Sequence, residues 1–331
     1  MRRLVRGGMG IEKGDGTGEN LIMGGLARAV IGCPSIIAII VTYQPDLGAL
    51  ERLLLALSSQ VEAVVVIDNG SGEDMRQWLE RLNIASLHCL ALSENRGVAA
   101  AQNEGITWAK EQGATHVVLF DQDSVPAPDM VARLYGAWRQ LEQDGLSVCA
   151  VGPNYQDLRQ SKSSPFVRVR GLMVSRCQCR NDGDVLEVDH LISSGSLIPM
   201  TVLDTVGGMM EGLFIDYIDT EWVLRAQRRG YRAYGICGAK MSHVLGDKSI
   251  RFLGREVVAR SPLRHYYLFR NALWLYRQSW VPWGWKLADG FRLLQRFCFY
   301  ALFAPPRLQQ VKMMTLGLCH GLWGRQGKYP A

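Results

Sequence analysis

The chain has 331 residues, 48% of them hydrophobic and 21% charged, a composition that folds and excludes an intrinsically disordered protein. Its formal charge of +6 is unevenly divided: residues 1–221 hold 18 Lys and Arg against 28 Asp and Glu, net −10, whereas residues 222–331 hold 19 against 3, net +16. No run reaches the roughly 18 apolar residues of a membrane-spanning helix, no signal-peptide core opens the chain, and eight scattered cysteines predict reduced thiols in a cytoplasmic protein.

Residues 1–33 carry nine glycines and no sustained apolar period, and read as a flexible extension. From Pro34, apolar β-branched runs at 36–42, 62–67, 87–92 and 116–120 alternate with amphipathic stretches at 46–58, 73–83, 97–112 and 128–142. That order predicts an α/β fold, a mostly parallel sheet with helices on both faces, whose ligands sit at the carboxyl ends of the strands.

The predicted strand ends are polar. They read Thr42-Tyr43-Gln44-Pro45, then Asp68-Asn69-Gly70-Ser71-Gly72, then Ser93-Glu94-Asn95-Arg96-Gly97, then Asp121-Gln122-Asp123-Ser124. Asn69, Gly70 and Ser71 are equally ordinary turn residues. Asp121 and Asp123 are harder to explain that way, because two carboxylates at the end of a buried strand repel unless a cation joins them. Such a pair suits Mg2+ or Mn2+ that keeps its other positions for water and phosphate oxygens, and an ion of this kind assists a departing diphosphate. Arg96 and Gly97 open the next helix, where a guanidinium and free amides could meet a phosphate. Asp68 suits the hydroxyls of a ribose or a base N–H. The set describes a nucleoside diphosphate held across the sheet. No G-x-x-x-x-G-K-[ST] is present, and no G-x-G-x-x-G opens the first helix, so a P-loop nucleotidase is excluded and a dinucleotide-dependent dehydrogenase disfavoured.

The series Val41-Thr42-Tyr43, Asp68-Asn69-Gly70-Ser71, Asn95-Arg96-Gly97-Val98-Ala99 with Asn103, and Phe120-Asp121-Gln122-Asp123-Ser124 resembles the family 2 glycosyltransferases of the GT-A fold, and within them the bacterial rhamnosyltransferases. The resemblance runs from about residue 35 to the C-terminus. It implies a nucleotide-sugar donor, dTDP-L-rhamnose being favoured, bound by Thr42, Tyr43, Asp68, Asn95, Arg96, Gly97, Asn103 and Asp121. It also implies a divalent metal on Asp123 and Asp121, with His243 as third ligand. The acceptor it implies is a lipid-linked saccharide at the cytoplasmic face of the membrane, in cell-surface polysaccharide synthesis such as O-antigen.

Transfer of a sugar with inversion needs one base for the acceptor hydroxyl. In the similar enzymes that base is an Asp shortly before a Leu-Arg-Ala helix. Leu224-Arg225-Ala226 places Asp219 there, with Glu221 as the next acid. Ile218 departs from the pattern, which often has an acid at that position. The same carboxylates, Asp216 included, also suit the dipole of a helix that Gly230 closes. Trp222 reads either as a wall against a sugar face or as core, and Ser194 and Gly195 resemble the family's segment beneath donor sugar and acceptor.

Residues 246–331 interleave Arg with Trp, Tyr and Phe, which fits a membrane-interfacial surface, a single-stranded nucleic-acid surface or buried helices. The domain scheme is thus an extension (1–33), a transferase domain (34–245, a nucleotide-sugar half to 125 and an acceptor half beyond) and a basic helical region associating peripherally with the membrane. Two further readings stay open. A sugar-1-phosphate nucleotidyltransferase would want a Gly-rich basic loop where this chain has Thr-Tyr-Gln-Pro, and a nucleic-acid-binding protein would leave Asp123, Asp219 and His243 unused.

Overall fold

The strand and helix alternation of the sequence is realised as a layered α/β structure. The computed structural model describes residues 34–72, 75–157, 164–170, 173–243, 249–252, 255–258 and 260–330. The expected extension 1–33 and the expected boundary at 245/246 lie outside the described residues. In chain order the first elements are β1 (Ile36–Thr42), α1 (Leu47–Ser58), β2 (Ala63–Asp68), α2 (Met75–Arg81), β3 (Leu87–Ala91), α3 (Val98–Glu111), β4 (His116–Asp121), β5 (Ser124–Pro126) and α4 (Met130–Gln143). Next come β6 (Val148–Asp157), β7 (Phe166–Arg170), β8 (Met173–Cys177), β9 (Val185–Val188), β10 (Leu197–Pro199), α5 (Met200–Val206), α6 (Ile218–Arg228) and β11 (Arg232–His243). The hairpin β12 (Ser249–Phe252) and β13 (Arg255–Val258) leads to α7 (Pro262–Arg277), α8 (Trp283–Leu302) and α9 (Arg307–Leu322).

The main sheet has the order β3-β2-β1-β4-β10-β6-β11-β5, with β9 also on β11. Strands β1 to β4 are mutually parallel, whereas β10 runs antiparallel to both β4 and β6. All of β1 is buried, and its alternate residues serve two cores. Ile37, Ile39 and Val41 pack with α3, α5 and α6, while Ile36, Ala38 and Ile40 pack with α1, α2 and α4. Each such isoleucine contributes about 1.5–3 kcal/mol by leaving water, which is why a strand apolar on both faces takes the centre of a parallel sheet.

The C-terminal helices pack on their own cluster and on the main body. Leu268, Phe269 and Ala272 of α7 meet Leu293 and Tyr300 of α8 and Met314 of α9, while Leu275 of α7 and Trp285 of α8 pack with Leu224 of α6. The close approach of α9 to α7 depends on two glycines. A Cβ at Gly317 would lie 2.5 Å from the Tyr266 carbonyl, and one at Gly321 would lie 2.6 Å from the Leu273 Cβ. Among the described residues no helix is long and apolar enough to cross a membrane.

The thiol expectation is corrected. Cys179 and Cys237 form a disulfide, their Cα atoms 5.6 Å apart. The loop after β8 folds back along β11, where the Cys237 N–H donates to the Asp184 carbonyl, and this return brings together two cysteines 58 residues apart in sequence. Sequence spacing alone carries no signal of such a pairing.

Candidate functional site

The carboxyl ends of β1 and β4 open into a cavity of about 900 Å3, closed on the far side by the segment before α6 and by α7 and α8. Tyr43, Asn95, Gly97, Asp121, Asp123 and Asp219 of the expected set line it, together with Asn69. The turn from β4 to β5 is pinned to the end of β1: the Tyr43 N–H donates to Gln122 Oε1 at 2.8 Å, and Gln122 Nε2 returns a bond to the Tyr43 carbonyl at 3.4 Å. Gln122 thereby braces the turn that carries Asp121 and Asp123. Two carboxylates on a strand-end turn beside an open cavity fit a hard, partly hydrated divalent cation. The backbone of His243, the third expected ligand, pairs with that of Ser124, next to Asp123. Among the described residues no three His, Cys, Asp or Glu side chains stand close enough to hold an ion by themselves.

Other expected residues sit behind the cavity wall. Thr42 is fully buried and its hydroxyl reaches Asp68 at 3.4 Å; Asp68, also buried, accepts from the Ser71 hydroxyl as well. This carboxylate ties the β1 and β2 ends together, and it does not line the cavity. The Arg96 guanidinium is 2.7 Å from Glu104 on the outer surface. The amides at the start of α3 are already bonded: Arg96 N–H to Asn69 Oδ1, Gly97 N–H to Asn95 Oδ1, and Val98 N–H to the Phe214 carbonyl. A phosphate would have to displace all three. Gly97 is required here, since its φ of +89° is combined with a Cβ position 2.6 Å from the Phe214 ring. Asn103 clasps a different segment, accepting from the Met209 N–H and donating to the Met209 carbonyl and Glu211.

On the acceptor side, Ser194 and Gly195 support rather than line. The Ser194 hydroxyl accepts from the Asp121 N–H and pairs with the Ser124 hydroxyl at 2.6 Å, and the Gly195 N–H donates to the Leu119 carbonyl. Ser193 is the neighbour that reaches the cavity. Glu221 is fully buried in a two-pronged pair with Arg225, at 2.7 and 2.9 Å. Trp222 is core, its indole N–H donating to the Gly207 carbonyl. Of the two acids in the first turn of α6, Asp219 lines the cavity and Glu221 does not. Its Oδ1 accepts from the Thr220 N–H at 2.7 Å, and the Thr220 hydroxyl meets His190 at 3.1 Å.

The segment that presents Asp219 is strained and held. Phe214, Asp216 and Tyr217 all have positive φ, near +65°, a conformation that costs about 1–3 kcal/mol for each such residue unless its surroundings impose it. Helix α7 imposes it. The amide of Asn271 donates to the carbonyls of Leu213, Ile215 and Asp216 at 2.8–2.9 Å, and Arg270 donates to those of Gly212 and Leu213.

Sequence reasoning missed most of the far wall: Asp189, His190, Tyr217, Arg260, Arg264, Trp285, Asp289, Arg292 and Arg296. Asp216, assigned to the helix dipole, is buried and pairs with Arg260 at 2.7 Å and Arg264 at 3.3 Å. Asp289 accepts from the Tyr217 and Tyr276 hydroxyls at 2.8 and 2.7 Å. Burial pushes its carboxyl above the usual range, against those hydrogen bonds and the charges of Arg292 and Arg296. The i, i+4 spacing of Arg260 with Arg264 and of Arg292 with Arg296 was the available signal.

The comparisons agree with this geometry. The family model described as glycosyl transferase family 2 matches residues 37–201. A dTDP-rhamnosyl transferase of Shigella flexneri, RfbF, is 35% identical over 250 residues, 75% of this chain and 82% of that protein. Among solved structures, GalNAc-T7 with UDP, GalNAc and Mn2+ aligns with 87% of this chain at a TM-score of 0.56 and 12% identity; the alignment covers 55% of that longer chain. Residues 1–349 of S. aureus TarS with UDP-GlcNAc align at 0.55 and 16% identity, over 84% of this chain and 79% of that one. At such identities these two speak for the fold, while the Shigella relative speaks for the family. The strand-end cavity, the order of its motifs and that relative converge on one assignment: the chain belongs to glycosyl transferase family 2 and is a glycosyltransferase of the GT-A fold.

Proposed function

We propose that this glycosyltransferase is inverting and dependent on a divalent cation, and that it moves L-rhamnose from dTDP-L-rhamnose to a hydroxyl of a lipid-linked saccharide in cell-surface polysaccharide synthesis. The donor assignment is supported by the name of the Shigella relative. The observation that carries the mechanism is that Asp121, Asp123 and Asp219 line one cavity from different elements. Asp219 takes the proton of the acceptor hydroxyl as that oxygen bonds to the anomeric carbon, and the bond from that carbon to the diphosphate oxygen breaks with its electron pair. Thr220 orients the base by holding Oδ1. Asp121, Asp123 and His243 would hold Mg2+ or Mn2+, which would supply Lewis-acid neutralisation of the leaving diphosphate. Tyr43, 43% exposed at the cavity edge, offers a face for the base, and Asn95 and Gly97 line the same side.

The protein works at the cytoplasmic face of the membrane in this reading. Support comes from α8, where Trp283, Leu287, Phe291 and Leu294 form one exposed apolar stripe on a part of the chain that is strongly basic. Donor-side residues 34–125 and acceptor-side residues 126–245 then form the transferase, with 246–331 as the membrane-facing region. A panel of nucleotide sugars with a lipid-linked acceptor extract, read as nucleotide diphosphate release, tests the donor. Asp123→Ala should abolish cation-dependent transfer. Asp219→Asn should lower turnover by about 100-fold or more while donor binding stays within about twofold. Full turnover in Asp219→Asn would overturn the mechanism.

A further inference from the structure

The carboxylate of Asp219 stands at the end of a chain of hydrogen bonds that reaches outside its own helix. The first turn of α6 leaves the Thr220 N–H without an intrahelical carbonyl, and Tyr217, at the cap position, supplies no side-chain bond. That N–H takes Asp219 Oδ1 at 2.7 Å. Capping of this kind has no use for the Thr220 hydroxyl. The hydroxyl oxygen is 3.4 Å from the same Asp219 Oδ1 and 3.1 Å from His190 Nδ1, and Thr220 is only 7% exposed. The backbone that carries the imidazole is held from two sides. Asp189 Oδ2 accepts from the Val169 N–H of β7 at 2.6 Å, and its Oδ1 accepts from Gln227 of α6 at 2.9 Å. The Asp189 N–H donates to the Val167 carbonyl, and His190 pairs with Val167 in an antiparallel bridge. His190 is thus fixed to β7 and, through its neighbour, to the helix that carries Thr220, about two turns further along it.

The direction of these bonds follows from counting hydrogens. A hydroxyl has one hydrogen to donate, and an ionised carboxylate only accepts. If that hydrogen went to His190 Nδ1, the Thr220 oxygen would face Asp219 Oδ1 with lone pairs alone. A bond to an anionic oxygen is the stronger of the two choices. The hydroxyl therefore donates to Asp219, and Nδ1 of His190 carries the hydrogen that the Thr220 oxygen accepts. Oδ1 of Asp219 then holds two donors, whereas Oδ2 has no hydrogen-bond partner among the described residues. We propose that His190 is a positioning residue for the transfer: through Thr220 it locks the Asp219 carboxyl by Oδ1 and leaves Oδ2 to take the proton of the acceptor hydroxyl. This role of His190 rests on the assignment of Asp219 as base; the chain of bonds itself does not. A base that must meet one hydroxyl in one alignment gains from being held in a single orientation, since a misplacement of about 1 Å can cost about 100-fold in rate. His190 also lines the cavity, where it could instead touch the substrate. The two roles move different quantities, positioning kcat and a substrate contact KM.

The test uses the full chain with dTDP-L-rhamnose and the lipid-linked acceptor extract. His190→Phe keeps a ring and loses the Nδ1 donor; it should lower kcat about tenfold or more, with donor KM and the half-saturating amount of extract within about twofold. His190→Asn, whose amide nitrogen can stand near the place of Nδ1, should keep kcat within about threefold. Thr220→Val should lose as much as His190→Phe, and Thr220→Ser should not. The double variant His190→Phe/Thr220→Val should fall no more than about twofold below either single variant, because both changes break one chain. Additive losses, full turnover in His190→Phe, failure of Asn to rescue, or a loss confined to KM would each overturn the role. The pair His190→Phe and His190→Asn carries the comparison if Thr220→Val has a lowered melting temperature. A readout independent of activity comes from 15N-histidine-labelled protein at about pH 8, where imidazole is neutral. The ring signals absent from His190→Asn should be those of the Nδ1–H tautomer, and the Nε2–H tautomer would overturn the chain of bonds. Failure of wild-type protein to release dTDP from dTDP-L-rhamnose would overturn the proposed donor, while the tautomer still decides the chain. Full turnover in Asp219→Asn would overturn the base and, with it, the role of His190.

Discussion

The parallel strands β1 to β3 and the C-terminal helices treat charged residues in opposite ways. At the ends of β1, β2 and β3 the polar side chains mostly bond one another: Asp68 with Thr42 and Ser71, Asn69 with Asn95, and Arg96 with Glu104. In α7 and α8 arginines are directed into the cavity and apolar side chains out of the protein. The first region is a preassembled frame whose hydrogen bonds are closed before a ligand arrives. The second turns charged side chains towards the cavity itself.

That contrast can be broken most severely at the point where the two regions meet. Asn271→Asp removes the amide that three carbonyls share and buries a carboxylate against them; it should cost about 3 kcal/mol or more of stability and lower transfer by about 100-fold. Thermal melting and turnover check this, and a variant with normal activity would mean that α7 does not hold the segment before Asp219. One buried histidine in each region gives the next largest effect. His116 on β4 and His265 on α7 are both pushed down to about 4 by burial. Between that value and about 6.5 the unfolded chain binds more protons than the folded one. Stability is therefore full above about pH 6.5 and falls as pH drops towards 4, by on the order of 3 kcal/mol for each histidine. Denaturant melts at stepped pH should show that slope, and His116→Gln and His265→Gln should each remove part of it.

Substituting Trp283, Phe291 and Leu294 by Ser should lower partition onto anionic vesicles about tenfold with little change in melting temperature, because these side chains are exposed and contribute little to the core. Unchanged sedimentation with vesicles would remove the membrane from the account of α8. Arg96→Ala should have the smallest effect. An ion pair with both side chains 42% exposed is worth less than about 1 kcal/mol, and donor KM should move less than about threefold. A tenfold rise in KM would return Arg96 to the phosphate.

The edge formed by β1 to β4 was readable because a parallel sheet turns sequence position into spatial position. Each apolar run predicts a strand, and each strand end predicts a place at the same edge, so the order of runs along the chain was enough to group Tyr43, Asn95, Asp121 and Asp123. The grouping overreached at Asp68, Asn103, Ser194 and Glu221, because a polar residue near a site serves equally well to brace it. Asp219 could be separated from Glu221 by its distance to Leu224-Arg225-Ala226, and the structure separates them again by burial. The C-terminal arginines were not assignable in the same way. A helix with an interior cavity on one side and an apolar outer stripe on the other has the same 3.6-residue period as an ordinary amphipathic helix, and period alone does not say which face is inside. Cys179 and Cys237 were unreadable for a related reason, since their meeting depends on a loop's return path.

The three carbonyls gathered by Asn271 bear on how such a chain could be altered or exchanged. The C-terminal helices look like a detachable cassette, lying beyond the segment that the family model matches. They are not detachable, because Arg270 and Asn271 set the backbone of residues 212–216, and that backbone delivers Asp219. A hybrid that takes these helices from a relative must take the 212–217 segment with them, or it will lose the hydrogen bonds that hold the backbone leading to Asp219.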